Sequence, residues 1–148
     1  MRRLIVFCAG CAAVGAVAQV NWNEVPAADG TFREHTGTFR SDTIDIPLGP
    51  HGELEYKLAI AAGEAIVYEW NVEGIDDPDL LYSEFHGHTE PVDNVGDLMY
   101  YRKAEGGSER GSLVAPFTGI HGWYLVNGDD SPIVVRLEVA GFYELVAQ

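Results

Sequence analysis

Between Thr43 and Val139 the chain is built from short runs in which apolar and polar residues alternate, most of them closed by Gly, Pro, Asn or Asp. Alternation with a period of two sends every second side chain to one face of an extended strand, so each run can bury only one side. Such strands become stable by pairing into sheets whose apolar faces stack. No stretch has convincing helical periodicity, and the connections are too short for parallel crossovers. The expectation is an all-β chain, an antiparallel β-sandwich of jelly-roll or GOLD-like type with about eight strands.

The runs can be placed one by one. Thr43-Ile44-Asp45-Ile46 stops at Pro47 and the turn cluster Gly49-Pro50-His51-Gly52. Leu54, Tyr56, Leu58 and Ile60 share a face opposite Glu55 and Lys57, and Ile66, Tyr68, Trp70 and Val72 repeat the pattern beyond Ala62-Gly63-Glu64. The short turn between these two runs predicts a hairpin. In the fourth run Leu81, Ser83 and Phe85 alternate with Tyr82, Glu84, His86 and His88. Leu98 to Ala104 follows, then Leu113-Ala115-Phe117, then His121-Trp123-Leu125 on one face beyond Gly119. Ile133, Val135, Leu137 and Val139 close the series, with Arg136 and Glu138 outward. The tyrosines and tryptophans of these runs are expected to pack the core rather than to form a binding platform.

Ahead of this region the chain has a different character. Arg2 and Arg3 precede an uncharged, mostly apolar run ending in Ala16-Val17-Ala18, the pattern of a secretory signal with an A-x-A cleavage site. The rival readings are an uncleaved anchor, since Leu4 to Val20 is at the short limit of a spanning helix, and a lipoprotein attached at Cys11. With cleavage, residues 1–18 are a signal peptide, 19–35 a flexible leader and 36–148 the β-sandwich domain, secreted or periplasmic, with no integral membrane segment. Cys8 and Cys11 leave with the signal, which excludes disulfides and thiolate chemistry. Seven basic residues then remain against 23 acidic ones, a formal charge of −16. A phosphate backbone would be repelled by that charge, so nucleic acid is excluded as a partner. A protein or small-ligand partner is the expectation.

His86 and His88, two apart on one strand, face the same way together with Glu84. Paired imidazoles at that spacing suit a metal ion, and His121 is a candidate third nitrogen, with Glu84, Glu90 or Asp93 as carboxylate. Zinc or copper is the cofactor such a set would take; otherwise none is expected. The alternative is that these are solvated or hydrogen-bonded histidines, as expected for His35 and His51. The acidic turns at Asp76-Asp77-Pro78-Asp79 and Asp129-Asp130 lack calcium-loop spacing and read as plain turns. No nucleophile elbow, phosphate loop, HExxH or SxxK sequence is present, and an enzyme is not the expectation.

Two family resemblances follow from these residues. His86 and His88, then Gly111, Pro116, Gly119, His121 and Asn127, resemble the two-motif signature of cupins, although the acid expected four residues beyond the HxH pair is missing. That resemblance implies a metal-binding protein using a three-histidine site. A second covers Glu53 to Tyr143: Gly111, Phe117, Gly119, Gly122, Trp123, Tyr124, Asn127 and the strand Ile133 to Val139 resemble the GOLD domain of emp24-type proteins and related bacterial anchor proteins. His86-Gly87 and His121-Gly122-Trp123 match the His-Gly and His-Gly-Trp motifs of the bacterial relatives. The chain lacks the paired cysteines, coiled coil and C-terminal membrane helix of the cargo receptors. What the resemblance implies is therefore an exported, non-enzymatic β-sandwich that serves as a binding or structural accessory module.

Overall fold

The computed structural model describes residues 21 and 23–147, so the expected signal peptide, with Cys8 and Cys11, lies outside the described residues. Two compact units are distinguished, one ending at Glu34 and the other spanning His35–Gln148. In the first, residues 23–34 form no strand or helix; a turn is closed by the Thr31 N–H donating to the Ala28 carbonyl at 3.0 Å.

The second unit carries nine strands: β1 (Phe39–Leu48), β2 (Glu53–Ile60), β3 (Ala65–Glu73), β4 (Leu81–His88), β5 (Leu98–Glu105), β6 (Ser108–Val114), β7 (Gly119–Asn127), β8 (Ile133–Phe142) and the short β9 (Glu144–Leu145). One sheet has the order β1-β8-β3-β6 and the other β5-β4-β7-β2-β9, with every pairing antiparallel. Strands far apart in sequence are neighbours in both sheets, as in a jelly roll.

Each sheet contributes one face to a single core. Ile66, Tyr68, Trp70, Val135, Leu137 and Val139 come from the first sheet and Tyr56, Leu58, Leu81, Phe85, Trp123 and Leu125 from the second. Burying each large side chain of this kind contributes about 1.5–3 kcal/mol. Phe85 stacks on Trp123 with centroids 4.7 Å apart, and Tyr68 meets both rings edge-on from the opposite sheet at 5.0 and 4.9 Å.

Three sequence expectations are corrected. First, β2 and β3 do not form a hairpin: β2 pairs with β7 and β3 with β8 and β6. They belong to different sheets, and their apolar faces look at each other across the core. Second, β1 runs through Pro47 instead of stopping there. It is an edge strand, where a missing N–H need not interrupt a ladder. Third, β6 is Ser108–Val114 and takes in only Leu113 of the Leu113-Ala115-Phe117 run; besides Leu113, its inward residue is Glu109, buried because it accepts a 2.5 Å hydrogen bond from Tyr68 Oη and pairs with Arg102 at 3.0 Å. No helix among the described residues is long and apolar enough to cross a membrane.

Candidate functional site

The two His-Gly motifs lie side by side on the central strands of the larger sheet. In the β4–β7 register Phe85 faces Trp123, His86 faces Gly122, and Gly87 faces His121. Each glycine thus stands opposite the other motif's histidine, and because side chains alternate, the two histidines go to opposite faces.

His121 points inward with Trp123 and Leu125 and is fully buried. The Phe117 carbonyl accepts from its Nε2–H at 3.0 Å, which leaves Nδ1 to accept from Tyr101 Oη at 2.8 Å. Both ring nitrogens of a neutral imidazole are thereby satisfied. Burial lowers the pKa of His121 from its ordinary value, and burial likewise pushes the Tyr101 phenol up to about 12. The ring occupies the space a side chain at position 87 would need: a Cβ on Gly87 would overlap the His121 ring and the Tyr101 hydroxyl. Tyr101 reaches this inner site because a bulge in the β4–β5 pairing at Phe85/His86 leaves it as the extra residue of β5.

His86 and His88 lie on the outer face. His86 Nε2 is 3.1 Å from Glu55 Oε1, and His88 Nε2 is 3.9 Å from the same oxygen. Glu55 belongs to β2, with β7 between it and β4; Gly122 presents no side chain there, and the His86 ring reaches across it. Glu55 Oε2 in turn pairs with Lys57 at 3.2 Å.

Glu84 shares this outer face but not this contact. It accepts from Tyr82 Oη at 2.5 Å and pairs with Lys103 at 3.1 Å, and those contacts, the tyrosine first, lower its pKa. The same hydrogen bond raises the Tyr82 phenol to about 12. Lys103 also lies 3.5 Å over the Tyr100 ring, and Tyr124 Oη donates to Glu53 at 2.5 Å.

The structure therefore brings His86 and His88 together, adds Glu55, and separates them from His121. The expected convergence of His86, His88, His121 and Glu84 is corrected for a plain reason: opposite strand parity sends His121 into the core. A cupin-like arrangement, with all three imidazoles on one centre, is not assembled. Glu90 and Asp93 belong to the connection after β4 and do not bond to either outer histidine. Among the described residues, no three His, Cys, Asp or Glu side chains converge closely enough to hold an ion as they stand. A depression of about 560 Å³ lies away from the histidines, on the outer face of the four-stranded sheet beside Thr43, Val67, Glu69 and Ser112.

The remaining expected features fall into structural roles. His35 stacks on Phe142 at 4.2 Å and pairs with Glu64, so it is more engaged than a solvated residue; His51 is exposed and pairs with Asp130 at 2.8 Å. Asp77 accepts from the Asp79 N–H at 3.2 Å at the start of a 3-10 turn, Pro78–Leu80, and Asp129 accepts from the Ser131 N–H at 2.8 Å, both ordinary turn bonds.

No protein-family model and no curated protein matches the chain. Among solved structures it is similar to a de novo designed double-stranded β-helix, at 17% identity and TM-score 0.35 over 70% of this chain and 99% of that one. It is also similar to PliG of Aeromonas hydrophila, a periplasmic lysozyme inhibitor of g-type lysozyme, at 14% identity and TM-score 0.42 over 81% and 93% of the two chains. A third similarity is to a disulfide-linked pilus protein of Bacillus endospore appendages, at 10% identity and TM-score 0.40 over 85% and 100%.

Proposed function

We propose that this chain is an exported, non-enzymatic binding module of GOLD-like type that docks a protein with a basic surface on the β4–β5 end of the sandwich. One observation supports it most directly. Val92 and Val95, which flank the turn of the β4–β5 connection, are each 72% exposed, and Leu98 and Tyr100, at the start of β5, are 54% and 48% exposed, so apolar side chains follow one another along this stretch of the chain. Exposed apolar side chains scattered singly need no explanation, whereas a continuous set suits an interface.

The connection is pre-shaped. Val92 and Val95 exchange backbone hydrogen bonds at 2.9 and 3.0 Å around Asp93 and Asn94, whose φ values of 52° and 62° make a hairpin turn of the I′ kind. Its base is held by the Thr89 N–H donating to the Asp97 carbonyl and the Asp97 N–H donating to Thr89 Oγ1, both at 3.0 Å. A segment already ordered loses less entropy on binding. Glu90, Asp93 and Asp97 frame the valines, and no Lys or Arg occurs from Thr89 to Tyr101. With a formal charge of −14 on the whole chain, that frame favours a cationic partner and speeds its encounter. The leader pattern at Arg2 to Ala18 supports export.

The test is capture of exported proteins on the immobilised chain, identification by mass spectrometry, and remeasurement of binding with the purified partner. The paired variant Val92→Asp/Val95→Asp is compared with Val67→Asp, on the outer face of the other sheet. The expected result is a basic protein whose affinity falls at least about tenfold in the paired variant, in line with loss of an apolar anchor, and weakens with salt, while Val67→Asp binds normally. A partner indifferent to the paired change, or self-association of the chain as the only interaction it abolishes, overturns the reading.

A further inference from the structure

The outer histidines carry a chemical mismatch. His86 Nδ1 lies 3.3 Å from the Glu84 carbonyl and His88 Nδ1 3.0 Å from the Thr89 carbonyl. A carbonyl oxygen only accepts, so each Nδ1 holds the proton and donates it. In a neutral imidazole each Nε2 then carries a bare lone pair; that of His86 faces Glu55 Oε1 at 3.1 Å, and His88 Nε2 lies 3.9 Å from the same oxygen. Two lone pairs facing an acceptor oxygen in a half-buried site repel unless something positive lies between them. A single metal ion between them answers this.

We propose that Glu55, His86 and His88 form a binding site for a divalent transition-metal ion, with zinc as the representative ligand. The chemistry of the set fits. Backbone carbonyls holding Nδ1–H are the usual means of fixing the tautomer and aim of a metal-ligating histidine, and here both rings have one. Two imidazoles and a carboxylate leave a fourth position of a tetrahedral zinc open to water or to a partner's side chain.

The distances decide how much must move. Ligand bonds of about 2.0–2.1 Å at tetrahedral angles put ligand atoms about 3.4 Å apart, so Glu55 and His86 at 3.1 Å are close to that separation. His88, at 3.9 Å from the same oxygen, must swing in by roughly 0.5 Å on that estimate. The His86 and His88 ring centroids, 6.3 Å apart, must also draw together. His88 has room to do so, with a side chain 32% exposed against 11% for His86. Lys57 pairs with Glu55 through the other oxygen, Oε2, at 3.2 Å. The pair of imidazoles is thus held in tautomer and pre-aimed, and the ion completes the convergence.

The site stands apart from the docking surface in its test. Purified chain stripped with chelator is titrated with zinc chloride, and the imidazole nitrogens are followed by long-range proton–nitrogen NMR. One equivalent should bind, shift Nε2 of His86 and His88 while Nδ1–H is retained, and raise the melting temperature. Glu55→Gln and His88→Ala, at partly exposed positions where circular dichroism will report an intact fold, should each weaken zinc binding by more than the roughly 10–100-fold that an outer-shell partner is worth. His51→Ala should leave it unchanged. Absence of saturable binding, or stoichiometric binding retained in Glu55→Gln and His88→Ala, overturns the assignment.

Discussion

Replacing Gly87 with Ala tests the interlocking of the two His-Gly motifs most directly. The new methyl would overlap the His121 ring and the Tyr101 hydroxyl, and neither is a free end that can swing away. The ring is held through both nitrogens, by Tyr101 at 2.8 Å and the Phe117 carbonyl at 3.0 Å, and is fully buried. Overpacking a core costs about 1–3 kcal/mol. If the ring yields, at least one buried polar group loses its partner at about another 1–3 kcal/mol. The expected loss is therefore about 2–6 kcal/mol, a large share of the roughly 5–15 kcal/mol that holds a domain folded. Urea unfolding with an unchanged m-value measures it, with Gly49→Ala as the control, since a Cβ there meets nothing within 4 Å and φ is not in the left-handed region. The cost should shrink by about 1 kcal/mol or more in a His121→Ala background, where the obstructing ring is gone. Equal losses for Gly87→Ala and Gly49→Ala, or strict additivity with His121→Ala, would refute the reciprocal packing.

Two further outcomes follow from the same core. His121 is held neutral by burial with its pKa below the ordinary value, while the unfolded chain takes up a proton near pH 6.5. Its contribution is thus fully present above about pH 6.5 and lost as pH falls below it, at up to about 1.4 kcal/mol per pH unit; unfolding measured from pH 7.5 to 5.5 should show that slope in the wild type and not in His121→Phe. Asn127, fully buried, donates from Nδ2 to the Gly49 and Ser131 carbonyls at 2.8 Å each and accepts from the Asp129 N–H at 3.0 Å. Asn127→Ala orphans these groups and should cost about 2–4 kcal/mol by denaturant unfolding, and a loss under 1 kcal/mol would show that water replaces the amide.

Strand positions were legible because alternation is a local property: Leu54 to Ile60 and Ile133 to Val139 declare their buried face without reference to any other strand. The sheet each strand joins is not local. The turn between Ile60 and Ala65 is short enough for a hairpin, yet the strands it connects face each other across the core, and nothing in Ala62-Gly63-Glu64 distinguishes the two outcomes. Glu109 was hidden because its run, Ser-Glu-Arg-Gly-Ser, is polar throughout, and only Tyr68 and Arg102 from elsewhere in the fold make its burial affordable. The sequence did carry the signal that separates the histidines. His121 shares parity with Trp123 and Leu125, whereas His86 and His88 oppose Leu81, Ser83 and Phe85, so the inward and outward assignments were already incompatible with one shared centre.

Glu55 was not legible as a partner of His86, since it shares no local pattern with β4 and meets it only through the order β4-β7-β2. The intervening residue then matters as much as the ligands. At most outer positions of β7 a side chain such as Tyr124 would stand between β4 and β2; at Gly122 none does, and His86 reaches the carboxylate. Gly87 plays the complementary part on the inner face, where its missing side chain makes room for His121. One pair of facing His-Gly motifs thus builds two different environments on the two sides of a sheet, a sealed neutral imidazole inside and a pair of lone-pair-bearing imidazoles outside. A change at His121 should therefore register in stability and leave the outer carboxylate contacts intact, while a change at His88 should act on those contacts and reach His121 only through charge, since after burial the outer imidazoles also lower its pKa.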